Sequence, residues 1–140
     1  MSPRSLIVLL LLVSAFVGCA TTASNTTDDG RLAVTKRPVI PDVPVPAGFR
    51  MDLNHTFFNS SAAMRTGYVT YAGQAGAPVL LEFFRDNMPI SGWSLVREST
   101  SAGSYTLHFE KNSEGCEVKV TPGRFSSDFT VSFYPMPGRR

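Results

Sequence analysis

The chain is poor in the residue types on which catalysis and metal binding usually rest. Its 140 residues include two cysteines, two histidines and one tryptophan. Two cysteines, Cys19 and Cys116, do not make a disulfide framework. No zinc-ligand spacing, phosphate-binding loop, nucleophile elbow or calcium loop occurs. A basic excess is missing too. Thirteen Lys and Arg against 11 Asp and Glu leave a net charge of +2, whereas nucleic-acid binders carry a clear basic patch or stripe. Arg139 and Arg140 belong to a short tail, residues 137–140, rather than to such a patch. These absences lead us to expect a non-enzymatic protein with no cofactor, no metal and no nucleic-acid partner.

Long apolar runs are equally scarce, and the single one lies at the start. Residues 1–5 carry one positive charge, Arg4, and residues 6–17 are apolar except for Ser14. This run is too short for a bilayer span, which takes roughly 20 apolar residues. A charged start, a short apolar run and the small residue Gly18 describe a secretory signal. The residues Phe16-Val17-Gly18-Cys19 resemble the lipobox of bacterial lipoproteins, with Phe16 where leucine is usual. The resemblance covers the signal segment. It implies removal of residues 1–18, a diacylglycerol on the Cys19 thiol and a fatty acyl group, such as palmitate, on the new amine. Alanine at position 20, where aspartate favours inner-membrane retention, implies the periplasmic side of the outer membrane in a Gram-negative cell. Each buried methylene contributes about 0.8 kcal/mol and two chains already hold stably, so three anchor firmly. The mature chain then has 122 residues and a charge of +1, enough for one domain and a linker. With Cys19 modified, Cys116 has no partner within the chain, and its place in a strand pattern predicts a buried, inert thiol.

Residues 19–47 read as a linker in two halves. The first, ATTASNTTDDG, lacks the apolar residues of a packed segment. The second, RPVIPDVPVPAG, holds four prolines and is expected to be stiff and extended, its alternating valines lying along the domain's edge. Coil statistics give such a spacer a span of about 30 Å.

Residues 48–136 read as a single domain. Alternating apolar and polar residues predict strands at 49–53 (with 55–59 extending it), 64–73, 93–99, 104–111, 116–121 and 128–134. Gly67 and Gly73 mark a bulge or a close approach. Pro78 opens a helix over PVLLEFFRDN, and Pro89 stops it. At 100° per residue, Val79, Leu80, Phe83, Phe84 and Met88 share the apolar face; Leu81 is at its border, and Asn87 is expected to find a hydrogen bond near the helix end. One amphipathic helix must bury its phenylalanines against the dry face of the sheet. The expected fold is therefore α+β, a two-layer sandwich with a helix on an antiparallel sheet in the order β-β-α-β-β-β-β.

The segment EFFRDNMPISGWSLV resembles a pattern in small bacterial lipoproteins of no assigned activity: an aromatic helix, then Met88-Pro89, a short turn, and Gly92-Trp93 opening a strand. Tyr71-Ala72-Gly73 and Phe109-Glu110-Lys111 fit the same pattern. The resemblance implies a shared fold unit and no chemistry. The two histidines, His55 and His108, are far apart in sequence. His108 falls on the wet face of its strand beside Thr106 and Glu110, opposite Glu117 and Lys119. This predicts a His108–Glu117 surface pair rather than a general base or, with Glu110, a metal site, because no nucleophile or oxyanion donor accompanies it. The leading expectation is a membrane-anchored envelope lipoprotein that binds another envelope component, chiefly protein. The alternative is a carrier or sensor of an apolar small molecule between helix and sheet, drawing on Phe57, Phe58, Tyr68, Tyr71, Trp93, Phe125 and Tyr134. A closed helix–sheet core favours the first, and a lined cavity of about 300 Å³ or more favours the second.

Overall fold

The computed structural model describes residues 25–62 and 64–136. The signal segment, the Cys19 anchor and the tail at 137–140 lie outside the described residues. Six strands form one antiparallel open sheet: β1 (Arg50–Ser60), β2 (Arg65–Gly73), β3 (Ser94–Ser101), β4 (Ser104–Lys111), β5 (Glu114–Pro122) and β6 (Ser127–Pro135). Their spatial order is β1-β2-β6-β5-β4-β3. The helix α1 (Ala77–Asn87) lies between β2 and β3 in sequence and packs on one face of the sheet. The expected α+β sandwich and its element order are the ones the chain adopts.

Period-2 alternation sets the two faces. Leu107 and Phe109, Cys116, Val118 and Val120, and Phe129, Val131 and Phe133 all point to the dry face and are buried. There the Phe84 ring meets Phe129 edge-on at 4.9 Å, and Tyr71 stacks on Phe129 at the same separation. Full burial of side chains of this size contributes roughly 1.5–3 kcal/mol each.

β1 is one strand of 11 residues, so the segment at 55–59 does extend the first strand, with an irregularity between Asp52 and Phe57. Local polar groups hold it. Asn54 N donates to Asp52 Oδ1 at 2.9 Å, and Thr56 Oγ1 donates to the Asp52 carbonyl at 2.7 Å. Thr70 N then donates to Thr56 Oγ1 at 3.2 Å, so a hydroxyl replaces the missing ladder acceptor. Gly67 marks the close approach expected of it. Its φ is +111°, and a Cβ there would overlap the Phe57 carbonyl oxygen.

Pro78 occupies the first turn of α1, where its missing N–H costs nothing. At the other end Asn87 Nδ2 donates to the Phe83 carbonyl at 2.8 Å, as anticipated. A 3-10 turn, Pro89–Ser91, and Gly92 at φ +87° complete the stop, and Trp93 N donates to the Met88 carbonyl at 3.2 Å. One expectation about the helix face is corrected. Leu81 is buried whereas Val79 is exposed. The buried arc is centred on Leu80 and Phe84, which leaves Val79 on the flank that meets the preceding segment.

A larger correction concerns the proline-rich half of the linker. Residues 25–47 form a strap across the same side of the sheet as α1. Ala33 N donates to the Asn25 carbonyl at 3.0 Å, Thr35 N to Val45 at 2.7 Å and Ala47 N to Ala33 at 2.7 Å. Ile40, Val43 and Val45 enter the core with Leu80, Phe84 and Trp93. Residues 25–47 of the stretch that reads as a spacer are therefore part of the domain. The prolines hold the strap extended, and Ile40, Val43 and Val45 between them are buried rather than solvated.

Candidate functional site

The strap is held by a charged latch at one end of the sheet. Trp93 Nε1 donates to the Asp42 carbonyl at 2.8 Å. The Asp42 carboxylate takes two hydrogen bonds from Arg65, at 2.6 and 3.0 Å, and one from Lys111 at 2.9 Å. Arg65 forks a second time onto Glu114, with Nε at 2.9 Å from Oε1 and its Nη2 on Oε2. Its guanidinium lies 4.8 Å from the centre of the Phe133 ring. Burial pushes the Asp42 carboxyl up, but the bonds from Arg65 and Lys111 outweigh it and hold it below the usual carboxylate range. The same bonds, from Glu114 first and then Asp42, raise the Arg65 guanidinium further. Every charge here has a partner, so the cluster serves to fix the strap. It floors a shallow depression of about 620 Å³ walled by Ser60, Met64, Asn112 and Met136.

On the other side of α1 the strap does not close against the helix. An open groove of about 790 Å³ runs between them. Leu32 and Val34 from the strap, with Val79, Phe83 and Ile90 from the helix and the turn after it, supply its apolar surface. Val79 is 42% exposed and Ile90 83% exposed, although both are large apolar side chains. Arg31 and Asp86 bridge the groove at 3.1 Å. Asp29, Glu82 and Asp86 make the polar rim acidic against the single cation Arg31.

The open face of the sheet carries a third group. A row crosses all six strands: Phe57, Tyr68, Ser132, Glu117, His108 and Arg97, each paired with the next. Arg97 Nη2 lies 3.2 Å from His108 Nε2. The guanidinium can only donate, so Nε2 accepts and the ring proton of this tautomer sits on Nδ1, facing Glu117 Oε2 at 3.5 Å. The predicted cross-strand pair is present, but it is not a surface pair. His108 is only 9% exposed because Arg97 and Glu117 flank it on both neighbouring strands. The Tyr134 ring lies over Gly115, in space that a side chain there would fill. Burial and then the charge of Glu117 raise the Tyr134 hydroxyl above its ordinary value.

The remaining sequence candidates are scattered. His55 is exposed, with Nδ1 2.7 Å from Asp52 Oδ2 in the β1 irregularity, on an edge strand nearly the whole width of the sheet from the His108 strand. Cys116 is fully buried, and burial pushes its thiol far up. Among the described residues no cluster of three metal-ligating side chains exists, and no helix is long and apolar enough to cross a membrane. The aromatics considered for a carrier cavity do not converge. Phe58, Tyr71 and Trp93 pack on the dry face, Phe57, Tyr68 and Tyr134 lie on the open face, and Phe125 stands exposed between β5 and β6. The groove was missed from the sequence because its wall was read as linker. The signal available for that wall is Leu32 and Val34, two large apolar residues at period 2.

A small helix over an antiparallel sheet, with an open groove beside the helix, has the form of a binding module. The START domain-like family model matches residues 55–134, and the chain belongs to that family. The match begins in β1 and ends in β6, so the strap lies outside it. No curated protein matches the chain, and no solved structure does.

Proposed function

We propose that the chain is an extracytoplasmic, lipid-anchored and non-enzymatic binding module, and that it takes an apolar ligand in the groove between the strap and α1. One observation carries the reading. On a START domain-like scaffold the helix–sheet interface is filled by Leu80, Phe84, Met88 and Phe129, while the groove leaves Val79 and Ile90 uncovered. Its volume falls within the range of about 300–1,000 Å³ typical of small-molecule sites. The ligand's place thus shifts from between helix and sheet to the helix's outer flank. An acidic rim favours a ligand with an apolar body and a neutral or cationic end. Lipidation at Cys19 is supported by the signal anatomy and places the module in the cell envelope, on the outer membrane in a Gram-negative cell.

The test is a titration of the mature chain with a neutral environment-sensitive naphthylamine dye. Saturable binding is expected, with at least a tenfold loss in Val79→Glu and no loss in Tyr68→Ser. Radiolabelled palmitate incorporated into the wild type and not into Cys19→Ala tests the anchor. A second reading, docking of another envelope protein, is favoured by the open face, where Phe57 and Tyr68 are paired and both exposed. Loss of dye binding in Tyr68→Ser alone would transfer the site to that face.

A further inference from the structure

We propose that the groove-bearing face, centred on Ile90, Val79 and Val34, docks on the bilayer surface, so that the groove opens toward lipid and the sheet's open face turns away from it. The inference rests on the anchor reading above and adds an orientation to it. The argument is one of length and position. Asn25, the first described residue, is already held: its carbonyl accepts from Ala33 N at 3.0 Å, and Thr27 N donates to the Arg31 carbonyl at 2.7 Å. Cys19 precedes Asn25 by six residues. Six residues fully extended reach about 20 Å. A folded unit of roughly 110 residues has a radius of gyration of about 13 Å and so a diameter of about 34 Å. The tether is therefore shorter than the body it holds, which excludes orientations with its exit on the far side and favours the membrane-facing side as the one from which it leaves.

That side is the groove. Thr27, Asp29, Gly30, Arg31, Leu32 and Val34 build one of its walls, so the chain leaves the domain along the rim. The facing wall presents Ile90, the most exposed aliphatic side chain among the described residues, together with Val79. Uncovered apolar side chains grouped beside a short lipid tether fit the interfacial layer of a bilayer. Strap and helix share one side of the sheet, so Lys119, on the opposite face, points away from lipid. An apolar ligand would then pass between bilayer and groove without crossing water.

The test uses the acylated mature protein in vesicles of phosphatidylethanolamine with a minority of phosphatidylglycerol. Ile90→Cys and Lys119→Cys each carry a nitrobenzoxadiazole label; both sites are exposed, and Cys116 is shielded. Lipids spin-labelled near the headgroup are expected to quench the probe at position 90 at least threefold more than the probe at 119, with a blue-shifted emission at 90 alone. Equal quenching at both positions, or stronger quenching at 119, overturns the proposal. A blue shift at 90 in native envelopes but not in protein-free vesicles assigns the face to a protein partner and also overturns it. Mass spectrometry of the mature N-terminus reads the anchor separately. If Cys19 is unmodified the anchor reading fails and the docked orientation with it, whereas an acylated Cys19 with equal quenching rejects the orientation alone.

Discussion

Replacing Ile40 with alanine separates two pictures of the proline-rich stretch. As a spacer residue, Ile40 would be solvated and its side chain would contribute nothing to folding. In the strap it is 3% exposed, packed with Val43 and Val45 against the helix and sheet. Truncation removes three carbons. At about 0.8 kcal/mol each, the transfer contribution is about 2.4 kcal/mol, and the cavity left behind raises the cost to roughly 3–4 kcal/mol. The neighbouring Val39 is 59% exposed, and Val39→Ala is expected to cost less than about 0.5 kcal/mol. Urea unfolding followed by Trp93 fluorescence reads both, because the indole is buried and bonded to the strap through Asp42. A lower midpoint with an unchanged slope is expected for Ile40→Ala. The corresponding fall in Tm is more than 10 °C, at several degrees per kcal/mol for a domain of this size. Equal, small effects at positions 39 and 40 would refute the strap.

Other substitutions test particular contacts. Asp42→Asn should cost roughly 1–2 kcal/mol at pH 7, since it removes charge-assisted bonds to Arg65 and Lys111. Asp42 is held below its ordinary value of 3.8, so its contribution is present above pH 4 and is lost as the pH falls through the folded value. The difference between wild type and Asp42→Asn in denaturant midpoint should accordingly shrink in acid. Ala102 sits at φ +47° in the two-residue turn between β3 and β4, with Gly103 at +76°. Ala102→Asn, which suits that turn, should stabilise the domain by about 0.5–1 kcal/mol in thermal unfolding. Gly67→Ala should destabilise by about 3 kcal/mol or more, because the new methyl overlaps the Phe57 carbonyl. Cys116 in the native protein should resist an aromatic disulfide reagent for hours and react within seconds in guanidinium, since burial disfavours its thiolate.

The sheet was legible because its strands alternate cleanly. Leu107/Phe109, Val118/Val120 and Phe129/Val131/Phe133 each demand one buried face, and the helix between Pro78 and Pro89 is the element left to cover it. The helix stop was legible from Met88 to Gly92 for the same local reason. The strap was not. Prolines read as stiffness, and four of them in 12 residues obscure three core positions whose burial depends on the helix and sheet, which lie far along the chain. The groove followed the strap out of view. The His108–Glu117 pair could be read from register, but its burial could not: it depends on Arg97, which reaches that row only because of the irregularity between Leu95 and Arg97.

Methyl-detected NMR of the mature chain during titration with the neutral naphthylamine dye tests the binding groove most directly. The methyl signals of Val34, Val79 and Ile90 should shift together and saturate, while those of Val118 and Val131, under the helix, stay in place. Shifts centred on Val118 and Val131, or no saturable shift at Val79 and Ile90, would contradict a site on the helix's outer flank.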